Sequence, residues 1–421
     1  MFVRRGRKTG TGDAALLAFL VAYSVSSFGT FLNLIALALF TLEVTGGPLG
    51  LGAVMAVRIG AGFLFGVPAG RLATRYERRR LMVVADLAQA AAMIVLGVAG
   101  QAVGLGGLLV AAAVLGAGNT VFSVSLRTSV PSMVGQGRRV RTNGRLVAGR
   151  SLGTVLGYAA APVVVMAGGF EAAFLINAAS FLVSAAVLWL LPLNTNGSGR
   201  ETAAVPTGGP RARVTAGLSS VVLGLVLIRG SDAFGSASHN VALPVHAGAE
   251  WPGAPYAFMS WFWTAWAVGT IAVQWVVRRT DHGRVAWLGE RAFAAGTVLM
   301  SVAFVVAFTG LPIPVLVVVL FVAGLADGLT EVAYLSRLQA APEAERARLF
   351  GLSASAETAG FATGMATCGL LLEVAPPPVV VAAYHALPVL VVGIVLLRLR
   401  SRRSGTVGVL PSVAKAAKKG S

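Results

Sequence analysis

The chain has 421 residues, of which 56% are hydrophobic and 12% are charged, and its mean hydropathy is +0.79. Soluble globular chains carry about 25% charged residues, so this composition excludes a water-soluble globular protein and makes lipid the expected solvent. The formal charge of +18 does not indicate a nucleic-acid partner, because the sequence has no soluble basic module with base-reading side chains. Basic loops on one side of a membrane account for the charge.

Apolar stretches long enough to cross a bilayer, about 20 residues each, follow one another along the whole chain. The apolar run after MFVRRGRK is too long for a cleaved signal peptide, so the first span is predicted to be retained. The pattern predicts an all-α polytopic membrane protein with about twelve transmembrane helices, spans 1 to 12: residues 15–41, 49–70, 81–100, 104–128, 146–168, 171–192, 215–245, 254–278, 286–309, 312–336, 348–373 and 378–398.

The charges between the predicted spans separate into two alternating sets of loops. Lysine and arginine lie in or beside the N-terminal tail, the loops near 71–80, 129–145, 193–214, 279–285 and 337–347, and the C-terminal tail. The other loops contain none, and Glu43, Glu250 and Glu373 lie in or beside them. Because short basic loops stay in the cytoplasm, the pattern predicts an even number of spans with both termini cytoplasmic.

The longest polar interruption is the segment 194–214, NTNGSGRETAAVPTGGPRARV. It is rich in Gly, Pro, Thr and Arg and has no periodic apolar face, so it is predicted to be a flexible cytoplasmic linker. It divides the chain into an N-terminal six-helix half, residues 1–193, and a C-terminal six-helix half, residues 215–400. Residues 401–421 are predicted to form a basic, disordered cytoplasmic tail.

The segment 66–80, GVPAGRLATRYERRR, joins spans 2 and 3 and contains five arginines. It resembles the signature loop of the major facilitator superfamily, G-x-L-A-D-R followed by basic residues, and two six-helix halves are the layout of that superfamily. Thr74 stands where the family has an aspartate that holds a gate, so the resemblance implies an altered gating contact. Asp86, in span 3, is expected as a structural partner of the arginines. The gating-loop residues implied are Gly70, Arg71, Arg75, Arg78, Arg79 and Asp86.

Span 5 carries glycines at a spacing of four residues, Gly149, Gly153 and Gly157, followed by Pro162. Such glycines line one helix face and allow a neighbouring helix to approach closely. The pattern is similar to the glycine–proline motif of antiporters and drug exporters in the superfamily. Generic packing of small residues is the alternative explanation.

Three further segments, 116–134, 174–182 and 338–352, resemble the branch that contains macrolide-efflux and enterobactin-export proteins. This resemblance implies export of a small organic molecule, such as a drug, a natural product or a siderophore-like compound. The branch often has an aspartate after the glycine midway along span 1, but here Gly29 is followed by Thr30. Proton coupling must therefore use another residue or be absent.

Charged residues inside spans are candidate sites, because a charge at the bilayer centre costs about 2.5–3.5 kcal/mol. Asp327 and Glu331 lie four residues apart on one face of span 10, and two carboxylates that close disfavour joint ionisation, which suits proton binding and release. Arg229 and Asp232 share a face of span 7 and can pair. The resemblance places spans 1, 4, 7 and 10 around the cavity, which makes Asp327, Glu331 and Asp232 the proton-coupling candidates. The alternative is a structural pairing of Asp327 or Glu331 with Arg337 or with basic residues at the cytoplasmic end of the cavity.

Polar and aromatic residues complete the candidate cavity: Asn33, Arg58, Asn119, Arg229, Trp261 and Tyr334. Arg58 suits either contact with an anion or a structural ion pair. Trp261, with Trp263 and Trp266, suits either stacking on cargo or an interfacial aromatic belt. Glu357 is expected to be a structural partner. His239 and His246 could titrate near neutral pH, but no metal site is expected.

These features predict a secondary active transporter that exports its cargo by alternating access and proton antiport. No GxxxxGK[ST] sequence is present, so ATP does not drive it in cis, and no cofactor or enzymatic activity is expected. The expected setting is the inner membrane of a bacterium, with the bilayer, a small-molecule substrate and protons as partners and the monomer as the oligomeric state. Two alternatives stay open: a proton-independent uniporter or importer, and a receptor or scaffold that binds cargo without moving it.

Overall fold

The computed structural model describes residues 10–134, 138–191, 195, 220–279, 290–339 and 343–406. The described part is almost entirely helical, and each predicted span has a helical counterpart. The predicted linker and the N-terminal tail lie almost wholly outside the described residues. Residues 401–406 of the tail that was predicted to be disordered are helical and continue the last helix, and the rest of that tail lies outside the described residues. The helices are α1 Gly10–Thr45, α2 Pro48–Leu64, α3 Gly66–Arg75, α4 Arg78–Ala99, α5 Gly104–Val134, α6 Arg139–Leu190, α7 Ser220–Glu250, α8 Pro255–Arg279, α9 Glu290–Ala307, α10 Ile313–Gln339, α11 Glu343–Leu371 and α12 Pro377–Thr406, with a short 3₁₀ helix at Gly100–Val103.

Two helices depart from the predicted bounds because of local backbone chemistry. Predicted span 2 is broken into α2 and α3, which are bent by 42°. The break lies beside Gly66 and Pro68, and a proline cannot donate to the helical ladder. Conversely, α6 covers predicted spans 5 and 6 and is interrupted at Gly168 and Gly169. Gly169 has φ +70°, a conformation that glycine adopts without strain.

Five described helical segments are long and apolar enough to cross a membrane, or six when α2 and α3 are taken as one span. Two of them, Arg78–Val130 and Arg141–Leu190, contain 53 and 50 residues. A bilayer needs about 20, and each of these segments contains an interruption, at 100–103 and at 168–169. The length and composition define a multi-pass membrane protein.

The loops gather at two opposite ends of the helices. At one end, named the arginine end, Arg78 donates to the carbonyl of Thr128 across 2.8 Å and Arg79 donates to the carbonyls at the end of α6. At the other, the glutamate end, Glu43 accepts a hydrogen bond from Gln101, and Glu373 accepts one from the backbone of Leu49 across 3.1 Å. At each end these contacts join residues in or beside loops that were predicted to share a side, and the side of a membrane that each end faces stays a prediction.

The buried core shows where the two parts of the chain meet. At the arginine end, the N-terminal half has its own cluster around Phe19 and Met82, and the C-terminal half has its own around Phe293. At the glutamate end, one cluster joins residues of both halves, including Leu39 of α1 and Phe258 of α8. The halves therefore share a core at the glutamate end and leave space between them further toward the arginine end.

The glycines of predicted span 5 pack α6 against α1. A Cβ atom on Gly153 would lie 2.7 Å from the carbonyl oxygen of Ser24, and one on Gly157 would lie 2.6 Å from that of Phe28. No larger side chain fits either place without moving a helix, so the close approach predicted from the spacing is present.

Candidate functional site

A cavity of about 590 Å³ lies between the two halves of the chain. Pockets that hold drug-sized molecules range from about 300 to 1,000 Å³. A hydrogen bond of 2.7 Å from Ser260 to the carbonyl of Tyr158 joins α8 to α6 at its boundary with the shared core. The polar and aromatic lining residues include Phe31, Arg58, Asn119, Arg150, Thr154 and Tyr158 from the N-terminal half, and Arg229, Asp232, His239, Trp263, Trp266, Gln274, Asp327 and Glu357 from the C-terminal half.

Arg229 of α7 is the centre of a cluster of carboxylates. Its Nη2 lies 2.8 Å from Glu331 of α10 and 3.0 Å from Glu357 of α11, and its Nη1 lies 3.8 Å from Asp232. Asp327, one turn from Glu331 on α10, lines the same cavity. The expected pairing of Arg229 with Asp232 is thus the longest of three ion pairs, and Glu331 pairs with Arg229 rather than with a group on its own helix.

Glu357 is the member of this cluster that the sequence assigned only a structural role. It lies at the end of the fourth turn of α11, and the packing of α11 against α7 carries it to Arg229 and to the cavity wall. Nothing in the sequence near residue 357 signals this, because its partner lies 128 residues away.

Tyr334 was predicted to line the cavity but supports it from behind. Its hydroxyl is hydrogen-bonded to Ser353 at 2.6 Å, and its ring lies beneath the guanidinium of Arg229, 5.6 Å from ring centroid to Cζ. The tyrosine is buried and is not among the cavity-lining residues. It therefore holds the arginine in place from the side away from the cavity.

On the N-terminal side of the cavity, Arg58 of α2 and Asn119 of α5 lie where the sequence predicted. Among the described residues no ion pair joins Arg58 to a carboxylate, and its buried Nη1 has no hydrogen-bond partner. Arg150 of α6 also lines the cavity and lies over the ring of Phe31 at 5.7 Å. Sequence analysis passed over Arg150 because it lies near the cytoplasmic end of a predicted span.

The three tryptophans of α8 separate into two groups. Trp263 and Trp266 line the cavity, and Trp263 stacks on Tyr158 with ring centroids 5.7 Å apart. Trp261 is 39% exposed and packs against Trp251 on the outer surface. Residues two positions apart in a helix point about 200° away from each other around its axis, so Trp261 and Trp263 face in opposite directions. The prediction that Trp261 lines the cavity is therefore not met.

Asn33 is also placed outside the cavity lining. It is fully buried in α1, and neither its amide nitrogen nor its amide oxygen has a hydrogen-bond partner in the structure. It lies within the helix packing of the N-terminal half, beside Leu32 in the core.

The gating-loop residues are partly dispersed. Arg71 and Arg75 are exposed, and a Cβ atom on Gly70 would meet open space, so Gly70 provides no close helix contact. Arg78 and Arg79 are engaged by backbone carbonyls at the arginine end. These contacts tie α4 to α5 and α6 rather than to the cavity.

Asp86 is separate from those arginines, contrary to expectation. It is 1% exposed and, with Thr30 and Gln89, lines a polar pocket of about 50 Å³ inside the N-terminal half. Within the described ranges no ion pair links it to the loop, and its Oδ2 has no hydrogen-bond partner. The reason is helical direction: Asp86 faces the bundle interior, whereas the arginines precede it at the helix end.

Sequence analysis named His239 but missed its partner. His239 lines the cavity, and its Nδ1 lies 3.2 Å from Nε2 of His385 on α12. His246 lies nearer the glutamate end, against the rings of Phe258 and Phe308.

Cys368 is buried and unbridged. Among the described residues, no group of three or more His, Cys, Asp or Glu side chains is arranged to hold a metal ion.

The sequence profile of the Major Facilitator Superfamily matches residues 19–336, and the chain therefore belongs to this superfamily of membrane transporters. No curated protein sequence matches the chain.

Solved structures of transporters show the same fold. The chain is similar to a bacterial homologue of the human lysosomal transporter Spinster in an inward-facing and occupied conformation, with 14% identity, a TM-score of 0.66, and coverage of 91% of this chain and 97% of that one. It is similar to the peptide-family transporter PepTSo, with 11% identity, a TM-score of 0.69, and coverage of 93% and 98%. It is also similar to the nucleoside transporter NupG, with 12% identity, a TM-score of 0.69, and coverage of 92% and 99%.

Proposed function

We propose that the protein is a secondary active transporter that exports a small organic molecule by alternating access coupled to proton antiport. The observation that carries this proposal is the central cavity, which Asp232, Asp327 and Glu357 line together with Arg229, while Glu331 pairs with the same arginine from outside the lining. Several carboxylates around one arginine, of which Asp232 is buried, favour binding of a proton or a cation, because desolvation and mutual repulsion both oppose their joint ionisation. Such residues in membrane helices mark substrate and proton pathways.

Asp327 is assigned as the proton-carrying group. Of the four acids around Arg229, it is the one that makes no ion pair within the described part of the chain, and it faces the cavity. In the proposed cycle Asp327 holds a proton while the cavity lacks cargo, and loses it to water when cargo binds. Glu331 and Glu357 hold Arg229 in position. Asp232, which lies 3.8 Å from Arg229 and lines the cavity, is assigned a part in both positioning the arginine and binding the proton.

The membrane arrangement is part of the proposal. Twelve spans, counting α2 with α3 as one and α6 as two, place both termini and the arginine end in the cytoplasm. Residues 1–193 and 215–400 then form the two halves, joined by the linker 194–214 and followed by the tail 401–421. The described arrangement, closed at the glutamate end by a shared core, is accordingly the one that faces the cytoplasm. We place the protein as a monomer in the inner membrane of a bacterium.

The particular cargo class follows from the resemblance to macrolide-efflux and enterobactin-export proteins, supported by the aromatic wall of Trp263, Trp266 and Tyr158. This wall suits an amphipathic molecule with an apolar body. The close packing of Gly149, Gly153 and Gly157 against α1 supports the antiporter assignment, since that motif resembles the one found in exporters.

A proton-independent uniporter or importer is the second candidate. Thr30 and Thr74 occupy positions where related exporters often have acids, and this observation favours it. A receptor that binds cargo without flux is the third candidate and rests on the same two residues. Both make the same cavity a binding site but leave the carboxylates without a proton-carrying role.

The deciding experiment uses the full-length protein in proteoliposomes, with a pH-sensitive dye inside and a panel of amphipathic compounds added under an imposed proton gradient. Cargo-dependent proton movement is expected for the wild type, and Asp327→Asn is expected to abolish it. Glu331→Gln is expected to reduce it, and Glu250→Gln, which removes an exposed acid, should leave it unchanged. Cargo flux that ignores the gradient would favour the uniporter, and saturable binding without flux would favour the receptor.

A further inference from the structure

The cavity has opposite charges on its two sides. The N-terminal half contributes Arg58 and Arg150, and among its described residues no acidic one lines the cavity. The C-terminal half contributes Asp232, Asp327 and Glu357, with Arg229 as its only cation there among the described lining residues. A substrate in this cavity therefore meets a positive wall and a negative wall.

Each wall ends in a buried charged atom that the protein leaves without a partner. On α2, Nη1 of Arg58 is buried and makes no hydrogen bond. On α7, Oδ1 of Asp232 is likewise buried and unbonded, while its Oδ2 is 3.8 Å from Arg229. Buried charges are normally paired, so two cavity-lining side chains of opposite sign, each with an unsatisfied atom, indicate groups that a ligand completes.

The single positive charge of Arg229 does not neutralise the carboxylates of the negative wall. Its Nη2 is shared by Glu331 and Glu357 at 2.8 and 3.0 Å. One guanidinium is therefore already shared by two close carboxylates, and Asp232 and Asp327 add further negative charge. The remaining negative charge faces the cavity and is available to a cationic group.

An aromatic surface also lines the cavity. Tyr158 stacks on Trp263, Trp266 meets Trp263 edge-on at 5.5 Å, and Phe31 meets Tyr158 edge-on at 5.3 Å. Flat apolar groups pack well on such a surface, and cations gain from the faces of its rings. The body of the ligand is thus expected to be aromatic.

We propose that the substrates of this cavity are aromatic zwitterions, whose anionic group binds Arg58 and whose cationic group binds Asp232, with Asp327 beside it. The inference rests on the proposed function only in taking the central cavity as the substrate site. It also gives the antiport a physical basis, because a carboxylate that holds a proton is neutral and binds the cation weakly. Lower pH on the cavity side therefore weakens binding of the cationic group.

The test compares three forms of one fluorescent compound, 6-(piperazin-1-yl)-2-naphthoic acid. The parent is a zwitterion, its methyl ester is a cation, and its N-acetyl derivative is an anion. Binding to the full-length protein in lipid nanodiscs is followed by fluorescence anisotropy. The zwitterion is expected to bind about tenfold more tightly than either singly charged form, a factor that corresponds to one added favourable contact.

Two variants assign the two walls. Arg58→Gln is expected to weaken binding of the zwitterion and of the anion about tenfold and to leave binding of the cationic ester unchanged. Asp232→Asn is expected to weaken binding of the zwitterion and of the ester and to leave binding of the anion unchanged. Arg80→Gln, at an exposed arginine paired with Glu77, is the control. Arg58→Lys keeps the charge and is expected to keep the preference for forms that carry a carboxylate, which separates charge from packing.

Equal affinity for the three forms, equal weakening of all three by Arg58→Gln, or no binding of any form at millimolar concentration would overturn the proposal. None of these results removes the proposed transport function. That function is judged separately, by proton movement with other amphipathic compounds in proteoliposomes.

Discussion

Arg229 organises the cavity at the scale of single residues. It contacts acids from three helices, α7, α10 and α11, and rests on the ring of Tyr334. A buried cation in this position offsets the repulsion among four nearby carboxylates. Its removal would leave uncompensated charge in the interior. The arginine therefore has a structural role as well as a part in shaping the negative wall.

Replacing Arg229 with methionine tests that role. Breaking a buried ion pair by removing one partner costs about 3–5 kcal/mol. Because the side chains of Glu331 and Glu357 are 41% and 35% exposed, solvent screens part of this cost, and Arg229→Met is expected to lower the melting temperature of the protein in detergent by less than the full figure implies. Arg229→Lys keeps the charge but not the two-pronged geometry and should recover part of the loss. A methionine variant as stable as the wild type would show that the cluster is not held by this arginine.

Residue-level prediction from the sequence succeeded where partners lie on one helix. The pairing of Arg229 with Asp232 follows from a spacing of three residues, and the shared face of Asp327 and Glu331 follows from a spacing of four. The contact of Arg229 with Glu357 and the contact of His239 with His385 cross 128 and 146 residues. No local pattern encodes such distances, because they depend on how the helices pack.

At the scale of elements, the contact between α1 and α6 depends on glycines at its centre. Gly157→Leu is expected to destabilise the protein by about 1–3 kcal/mol, the usual cost of overpacking, because the first added atom would already meet the carbonyl of Phe28. Gly144→Ala is the matched control on the same helix, since a Cβ atom there meets open space. Thermal unfolding in detergent measures both. Equal melting temperatures for the two variants would contradict the packing account.

Helix existence was predictable and helix shape was not. Long apolar runs indicated where each helix lies, because a bilayer demands a minimum length, although α5 and α12 continue to Val134 and Thr406, beyond the predicted ends at 128 and 398. The 42° bend between α2 and α3 was not predicted, although Gly66 and Pro68 stand beside it. Glycine and proline permit a bend without requiring one, and the packing of neighbouring helices decides.

At the scale of the whole molecule, alternating access requires the glutamate end to open. Leu49 and Glu373 come from different halves and lie within hydrogen-bonding distance there, at 3.1 Å. A cysteine pair at these positions, in a Cys368→Ser background and joined by a short thiol cross-linker, is expected to reduce transport to background. Binding to the cavity should persist, and the single-cysteine variants should transport normally after the same treatment. Full transport after complete cross-linking would contradict a rocking mechanism.

The overall architecture was predictable because it rests on whole-chain regularities. Alternating charges assigned the loops to two sides, and contacts among the described residues join members of one predicted set at each end. The polarity of the cavity was not predictable, since Arg58 and Asp232 acquire their relation only when α2 and α7 line one space. Sequence spacing relates residues along a helix but not across a bundle.

The exchange of a proton for cargo in the cavity is the central claim, and proton release at equilibrium measures it most directly. The purified protein in weakly buffered detergent solution is titrated with the naphthoic acid zwitterion and, separately, with a panel of amphipathic amines, while the pH of the solution is recorded. The predicted result is proton release that saturates with binding of a cationic compound and is absent in Asp327→Asn. Because the proton and the cation compete for carboxylates, the apparent affinity should fall as the pH is lowered. Saturable binding of these cations with no proton release, at any pH from mildly acidic to mildly basic, would contradict the claim.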